Sequence, residues 1–174
     1  SAHLILFSEY YEFNNQNLLI DISLHLGSLI AIIFYFRRDL FNFVQNKSFL
    51  IKIILGTIPI IPVGYILYKT ELINFLRSLE VIGCMSLIFG ILLYISDKFD
   101  ITKKIDTEFT NSSAIIIGLF QVLALIPGVS RSGITITSGR LLGFSRLDSA
   151  KISFFLSIPT LGAASLLGIY NIYK

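Results

Sequence analysis

Residues 114–146 read AIIIGLFQVLALIPGVSRSGITITSGRLLGFSR, and the change of character inside this stretch decides the architecture of the chain. Residues 114–126 form a run apolar but for Gln121, which as a helix reaches only about 20 Å into a hydrocarbon layer ~30 Å thick. Pro127-Gly128 stops it, because proline lacks an amide N–H and glycine permits a sharp turn. The following segment carries Arg131, Arg140 and Arg146, and no acidic residue lies between Phe109 and Leu147. A helix too short to span, followed by a basic, hydroxyl-rich return, predicts a re-entrant half-helix over residues 114–135.

The flanking sequence supplies the spans around this hairpin. Residues 18–36, 51–68, 79–95 and 150–170 are apolar stretches of crossing length, with Pro59 and Pro62 inside the second and Pro159 inside the last, where they predict kinks. Of 174 residues, 54% are hydrophobic and 14% charged, with a mean hydropathy of +0.77. That leaves too little polar surface to wrap so much apolar material in water. The expected fold class is all-α: a single polytopic membrane domain with spanning helices and at least one re-entrant half-helix.

A repeat is also expected. Ser1–His3 precedes a span by about the distance that separates Ser132 from the last one, an offset of about 131 residues. This rhythm fits part of an inverted-repeat bundle whose broken helices meet at the midplane.

The net charge of +3 and pI near 9.0 come without Lys/Arg blocks, so nucleic acid binding is excluded. Arg37, Arg38, Lys47 and Lys52 lie in or beside one connection and Lys98, Lys103 and Lys104 in another. Only Lys69 and Arg77 lie in the connection between them. Positive-inside counting puts the loops near residues 37–50 and 96–112 in the cytoplasm and the N-terminal segment outside. Cys84 is the one cysteine, which excludes a disulfide within the chain and a CxxC metal site; it is expected as a small buried hydrophobe. Met85 is the one methionine and SAHLIL resembles no signal-peptide start, so the chain is expected to begin inside a longer reading frame.

The chemistry concentrates in residues 127–146, PGVSRSGITITSGRLLGFSR. Three arginines without a local carboxylate, close to hydrocarbon, call for an external anion, because an unpaired cation there costs ~2.5–3.5 kcal/mol. Gly128, Gly133, Gly139 and Gly143 let the backbone approach a ligand, and Ser130, Ser132, Thr135 and Thr137 offer hydroxyls. Amides opening the next helix add partial positive charge. The combination describes a phosphate or diphosphate cradle with Arg131 in bidentate contact. The competing reading is small-residue helix packing with arginines snorkelling to headgroups.

Several phosphatase signatures are missing. No cysteine precedes the arginine, no histidine stands six residues after Ser130-Arg131 or Ser145-Arg146 as in phosphatidic-acid-type lipid phosphatases, and no GxxxxGK[ST] occurs.

The run QVLALIPGVSRSGITIT, with LLGFSR after it and SAHLILFSEY at the start, resembles the undecaprenyl-diphosphatase (bacitracin-resistance) family of bacteria. The likeness extends through HLGSLIAIIFYFRRD and TIPIIPVGY and is sharpest at residues 1–3 and 121–146. It implies a multi-pass enzyme of the bacterial inner membrane that removes one phosphate from undecaprenyl diphosphate. The lipid carrier is thereby recycled for peptidoglycan synthesis, which gives bacitracin resistance.

Carried over by position, His3, Arg131 and Ser130 are the implied catalytic residues. Ser132, Gly133, Thr135, Gly128 and Arg146 are the implied substrate contacts, with Ser1, Gln121 and Arg140 as further candidates. The family's paired glutamates, implied to hold a divalent cation such as Mg2+ or Ca2+, would lie before Ser1, so no metal ligand is expected in this chain. The chain is accordingly expected to be a fragment lacking both ends. Its implied partners are the polyprenyl diphosphate, the bilayer and, as one option, a second copy in a homodimer; the implied active site faces the extracytoplasmic side.

Other polar residues read differently. Asp21 and His25 stand at i and i+4 inside a span, as a structural pair would. Glu9 and Glu12 flank Tyr10 and Tyr11 as interfacial residues do, and the metal site is not assigned to them. The rival function is a flippase or transporter of an anionic lipid, which uses the same broken helices and midplane arginine. A purely structural subunit would leave Arg131 dispensable.

Overall fold

A computed structural model of the chain describes residues 17–70, 76, 78–99 and 102–172. Ser1, His3, Glu9 and Glu12, and with them the polar motif that opens the expected repeat, lie outside the described residues, as does the side chain of Asp21. Helix α1 runs Asn17–Tyr35, α2 Arg37–Gln45, α3 Lys47–Thr57, α4 Ile60–Lys69 and α5 Leu79–Asp97. A single turn, α6 (Ile105–Glu108), precedes α7 (Asn111–Val122), and α8 (Arg131–Leu141) and the long α9 (Arg146–Ile172) complete the order. Among the described residues the only β-type pairing is an isolated bridge between Lys103 and Phe144.

Local chemistry explains most boundaries. Asn46, Ser78, Thr110 and Ser130 cap α3, α5, α7 and α8, each side-chain oxygen accepting from the backbone N–H three residues on. The break between α3 and α4 follows from its prolines. Pro59 and Pro62 offer no N–H to the carbonyls of Leu55 and Ile58, and Ile58 instead accepts from Ile61 at 3.2 Å. At Phe36, between α1 and α2, the helical bonds carry on, its N–H donating to the Ile32 carbonyl at 2.9 Å and its carbonyl accepting from Leu40 at 2.7 Å, and its ring lies 5.5 Å from that of Phe154 and 5.4 Å from that of Phe155.

Among the described residues three stretches, Lys47–Leu67, Leu79–Asp97 and Arg146–Tyr170, are long and apolar enough to cross a membrane. Their outward faces carry Ile54, Ile58, Ile61, Leu87, Ile88, Ile91, Leu166 and Leu167, all exposed. A water-soluble protein does not tolerate such faces, whereas lipid solvates them, and the chain is an all-α membrane protein. Cys84 belongs to one of these faces. It is exposed on α5, not buried as expected, because a small hydrophobe in a membrane helix gains nothing by pointing inward when the solvent is itself apolar.

Helix α8 sits at the centre, packed against α5, α7 and α9, while α9 also covers α1 and α3 lies on α7. The α3–α7 crossing is set by Gly56 and Gly118: a Cβ on Gly118 would stand 2.3 Å from the carbonyl oxygen of Gly56, so the two backbones touch. At one end a ladder of rings, Phe36, Phe155, Phe49, Phe109 and Phe144, with Ile53, Ile105, Ile117 and Ile152, forms the core. Both basic connections gather at this end. Lys52 lies over the Phe109 ring, Lys151 pairs with Asp39 at 4.0 Å, and Lys103 donates to the Leu142 carbonyl at 3.0 Å.

Candidate functional site

The hairpin of α7 and α8 carries the motif at its tip. A 3-10 turn at Leu123–Leu125 ends α7, and the chain reverses through Pro127, Gly128 and Val129 before Ser130 opens α8. Gly128 is required at the turn. Its φ is +98°, and a Cβ there would meet the Ile82 carbonyl oxygen at 2.5 Å. Its own carbonyl accepts from Ser86 Oγ at 3.1 Å, which fastens the tip to α5. With 11 residues, α8 is about 16 Å long, so a tip rising from the charged end stands about halfway through a bilayer.

At that tip Ser130 and Ser132 are exposed and Arg131 is partly buried between them. Ser130 Oγ accepts from the Gly133 amide at 3.2 Å and lies 3.3 Å from Ser132 Oγ, so the two hydroxyls share one proton between them and keep the other for a ligand. Gly133 thus contributes its amide to the cap. The amides of Arg131 and Ser132, in the first turn, have no acceptor within their own helix. Arg131 donates one N–H to Thr160 Oγ1 on α9 at 2.8 Å and has no carboxylate partner among the described residues. The result is a half-buried guanidinium, two hydroxyls and helix-opening amides at one point, a donor set suited to a phosphate group.

The remaining candidates separate from this tip. Thr135 was expected to offer its hydroxyl to the ligand, but it is 1% exposed and donates to Ser153 Oγ on α9 at 2.7 Å. One turn above the helix start, its side chain faces the neighbouring helix. Arg140 and Arg146 were expected to need an external anion, and here the structure corrects the sequence reading, because both find Asp97 at the C-terminus of α5. Arg146 Nε is 2.7 Å and Arg140 Nε 3.8 Å from Asp97 Oδ1. Arg140, 3% exposed, also donates to the carbonyls of Phe144, at 3.0 Å, and of Asp97 and Phe99. Both arginines stand at the opposite end of α8 from Arg131, and there they neutralise the carbonyl end of α5.

Gln121 is fully buried on α7, and neither its side-chain oxygen nor its nitrogen has a hydrogen-bond partner among the described residues. Gly143, at φ +101°, makes the α8–α9 turn. Ser1 and His3 lie outside the described residues. Among the described residues no three His, Cys, Asp or Glu side chains converge, so those residues do not fit a divalent cation and no step below passes through one.

Sequence reasoning missed Asp97, Ser86, Ser153 and Thr160. Asp97 stands 43 and 49 residues from its arginines, with no local signal. The α9 partners did leave one: Ser149, Ser153, Ser157 and Thr160 recur at helical spacing along one face of an otherwise apolar span.

Comparison with known proteins adds to this geometry. A family model described as "Bacitracin resistance protein BacA" matches residues 1–174. The chain is 51% identical over 172 residues to a protein of Pelagibacter ubique named undecaprenyl-diphosphatase, covering 98% of this chain and 67% of that one. Proteins of the same name from Dinoroseobacter shibae and Hahella chejuensis are each 44% identical, covering 97% and 95% of this chain and 68% and 66% of theirs. The chain therefore spans about two thirds of the length of these relatives.

Proposed function

The chain belongs to the bacitracin resistance protein BacA family, and from that premise we propose that it acts in the hydrolysis of undecaprenyl diphosphate to undecaprenyl phosphate and inorganic phosphate. Such an activity recycles the lipid carrier for cell-wall synthesis and gives bacitracin resistance. The observation that carries the reading is Arg131, an arginine held by a neutral hydroxyl at the open tip of a half-helix between two exposed serines.

In this reaction a nucleophile, water itself or a side chain that water later relieves of the phosphoryl group, adds to the terminal phosphorus as the bond to the bridging oxygen breaks, so negative charge shifts onto the departing lipid phosphate. Arg131 and the first-turn amides of α8 stabilise that charge, the dominant contribution in phosphoryl transfer. The Ser130 and Ser132 hydroxyls donate to further phosphate oxygens. His3 is assigned nucleophilic or acid/base work, and a divalent cation such as Mg2+ or Ca2+ is proposed to assist, held by none of the described residues.

We place the protein in the bacterial inner membrane with the tip opening toward the extracytoplasmic side. Support comes from the basic connections, which gather at the end of the bundle away from Arg131.

The test is phosphate release from a polyprenyl diphosphate in detergent with added Mg2+ or Ca2+, in this chain and, for comparison, in one of the longer relatives. Arg131→Ala is expected to lower release by ~10²–10³-fold. Binding or movement of the lipid between leaflets with no phosphate released would make the protein a lipid transporter instead.

A further inference from the structure

Resting on the proposed hydrolysis, we infer that Thr160 is a positioning residue that aims the Arg131 guanidinium at the substrate phosphate. The contact is direct: Arg131 NH1 donates to Thr160 Oγ1 at 2.8 Å, from α8 to α9. The orientation of that hydroxyl is determined as well. Thr160 Oγ1 lies 3.0 Å from the Leu156 carbonyl and 3.1 Å from that of Ser157, so its single proton is directed back into its own helix. A hydroxyl with its proton so engaged presents lone pairs alone to the arginine. Thr160 is therefore an acceptor toward Arg131.

The neutrality of this acceptor matters. A carboxylate here would hold the guanidinium equally well but would offset the charge a phosphate needs, and would repel that phosphate. A threonine hydroxyl takes up one of the five N–H donors and leaves the full charge and the other donors for the ligand.

Rigidity also favours this position. The β-branched side chain has few rotamers in a helix, and Ser153, two turns earlier on the same face of α9, is tied to Thr135 of α8 at 2.7 Å. Two hydrogen bonds spaced along one face, Thr135 to Ser153 and Arg131 to Thr160, thus hold α8 in a defined register against α9. The upper one ends on the group that would meet the substrate. An arginine left free to sample its rotamers would lose this preorganisation.

Thr160→Val keeps the shape and removes the acceptor, while Thr160→Ser keeps the hydroxyl. Expected are a fall in kcat/KM for polyprenyl diphosphate of about tenfold or more in Thr160→Val, recovery to within about threefold of the parent in Thr160→Ser, and little change in detergent unfolding temperature for either. In an Arg131→Ala background Thr160→Val should change nothing further, because the group it positions is gone.

Affinity for a polyprenyl monophosphate, which needs no turnover, gives the same comparison separately. If the parent protein releases no phosphate, the hydrolytic reading fails and this binding measurement still decides Thr160. The inference is overturned if Thr160→Val matches the parent in both measurements, if Thr160→Ser is as impaired as Thr160→Val, or if the losses in Arg131→Ala and Thr160→Val add.

Discussion

Thr135 and Ser153 meet across the contact of α8 with α9, the threonine hydroxyl donating to the serine oxygen at 2.7 Å with both residues buried. Thr135 Oγ1 also lies 2.9 Å from the Arg131 carbonyl and 3.2 Å from that of Ser132, in the turn that carries the anion-binding groups. The pair links helix packing to the geometry of the tip. A double-mutant cycle of Thr135→Val and Ser153→Ala should therefore give a coupling of about 0.6 kcal/mol, and not above ~1.7, in detergent unfolding. A coupling of zero would mean that the two hydroxyls do not depend on each other.

Arg140 and Arg146 share Asp97 but differ in surroundings, so their removal should differ in cost. Arg140 is buried and donates to three backbone carbonyls; its replacement by Met leaves that of Phe99 without its side-chain donor, leaves those of Asp97 and Phe144 with only the longer bonds from Arg146 and Ser149, and is expected to destabilise by about 3 kcal/mol. The Arg146 side chain is 72% exposed, and Arg146→Ala should cost no more than ~1 kcal/mol. Thermal unfolding of the two variants side by side measures the difference. Equal losses would contradict the assignment of Arg140 as the cap of α5.

Gly118 and Gly27 offer a contrast in packing. An added methyl at Gly118 would stand 2.3 Å from a backbone oxygen of Gly56, which cannot move without separating α3 from α7. Gly118→Ala is expected to destabilise by ~3 kcal/mol. At Gly27 nothing among the described residues lies within 4 Å, and Gly27→Ala should raise stability by up to ~1 kcal/mol through helix propensity. Unfolding temperatures in the same detergent test both signs.

The proposed divalent cation is tested by chelation. EDTA is expected to abolish phosphate release, with recovery on adding excess Mg2+ or Ca2+, while polyprenyl monophosphate still binds more weakly to Arg131→Ala than to the parent. Unchanged release in EDTA would remove the cation from the proposal.

Much of the architecture was legible along the chain because it depends on local quantities. The length of each apolar run determines whether it can cross a bilayer, and Pro127-Gly128 after a run too short to span determines the hairpin tip. Ser130 caps α8 through a contact of three residues, and the proline pair of the second stretch ends α3 where it stands. Arg131 was identifiable as an unpaired cation because no sequence neighbour could pair with it.

Pairings over long distances were decided only by the tertiary structure. Asp97 reaches Arg140 and Arg146 across more than 40 residues and gives them a carboxylate partner, although along the chain they lack a neighbouring acid just as Arg131 does. Thr135 likewise shares the hydroxyl chemistry of Ser130, and the direction it faces is set by its angular position on α8 relative to Ser153 of α9. Sequence specifies which groups can form hydrogen bonds and charge pairs. Which partner each one finds depends on how the helices pack, since close backbone contacts such as Gly56 with Gly118 determine which helix faces meet.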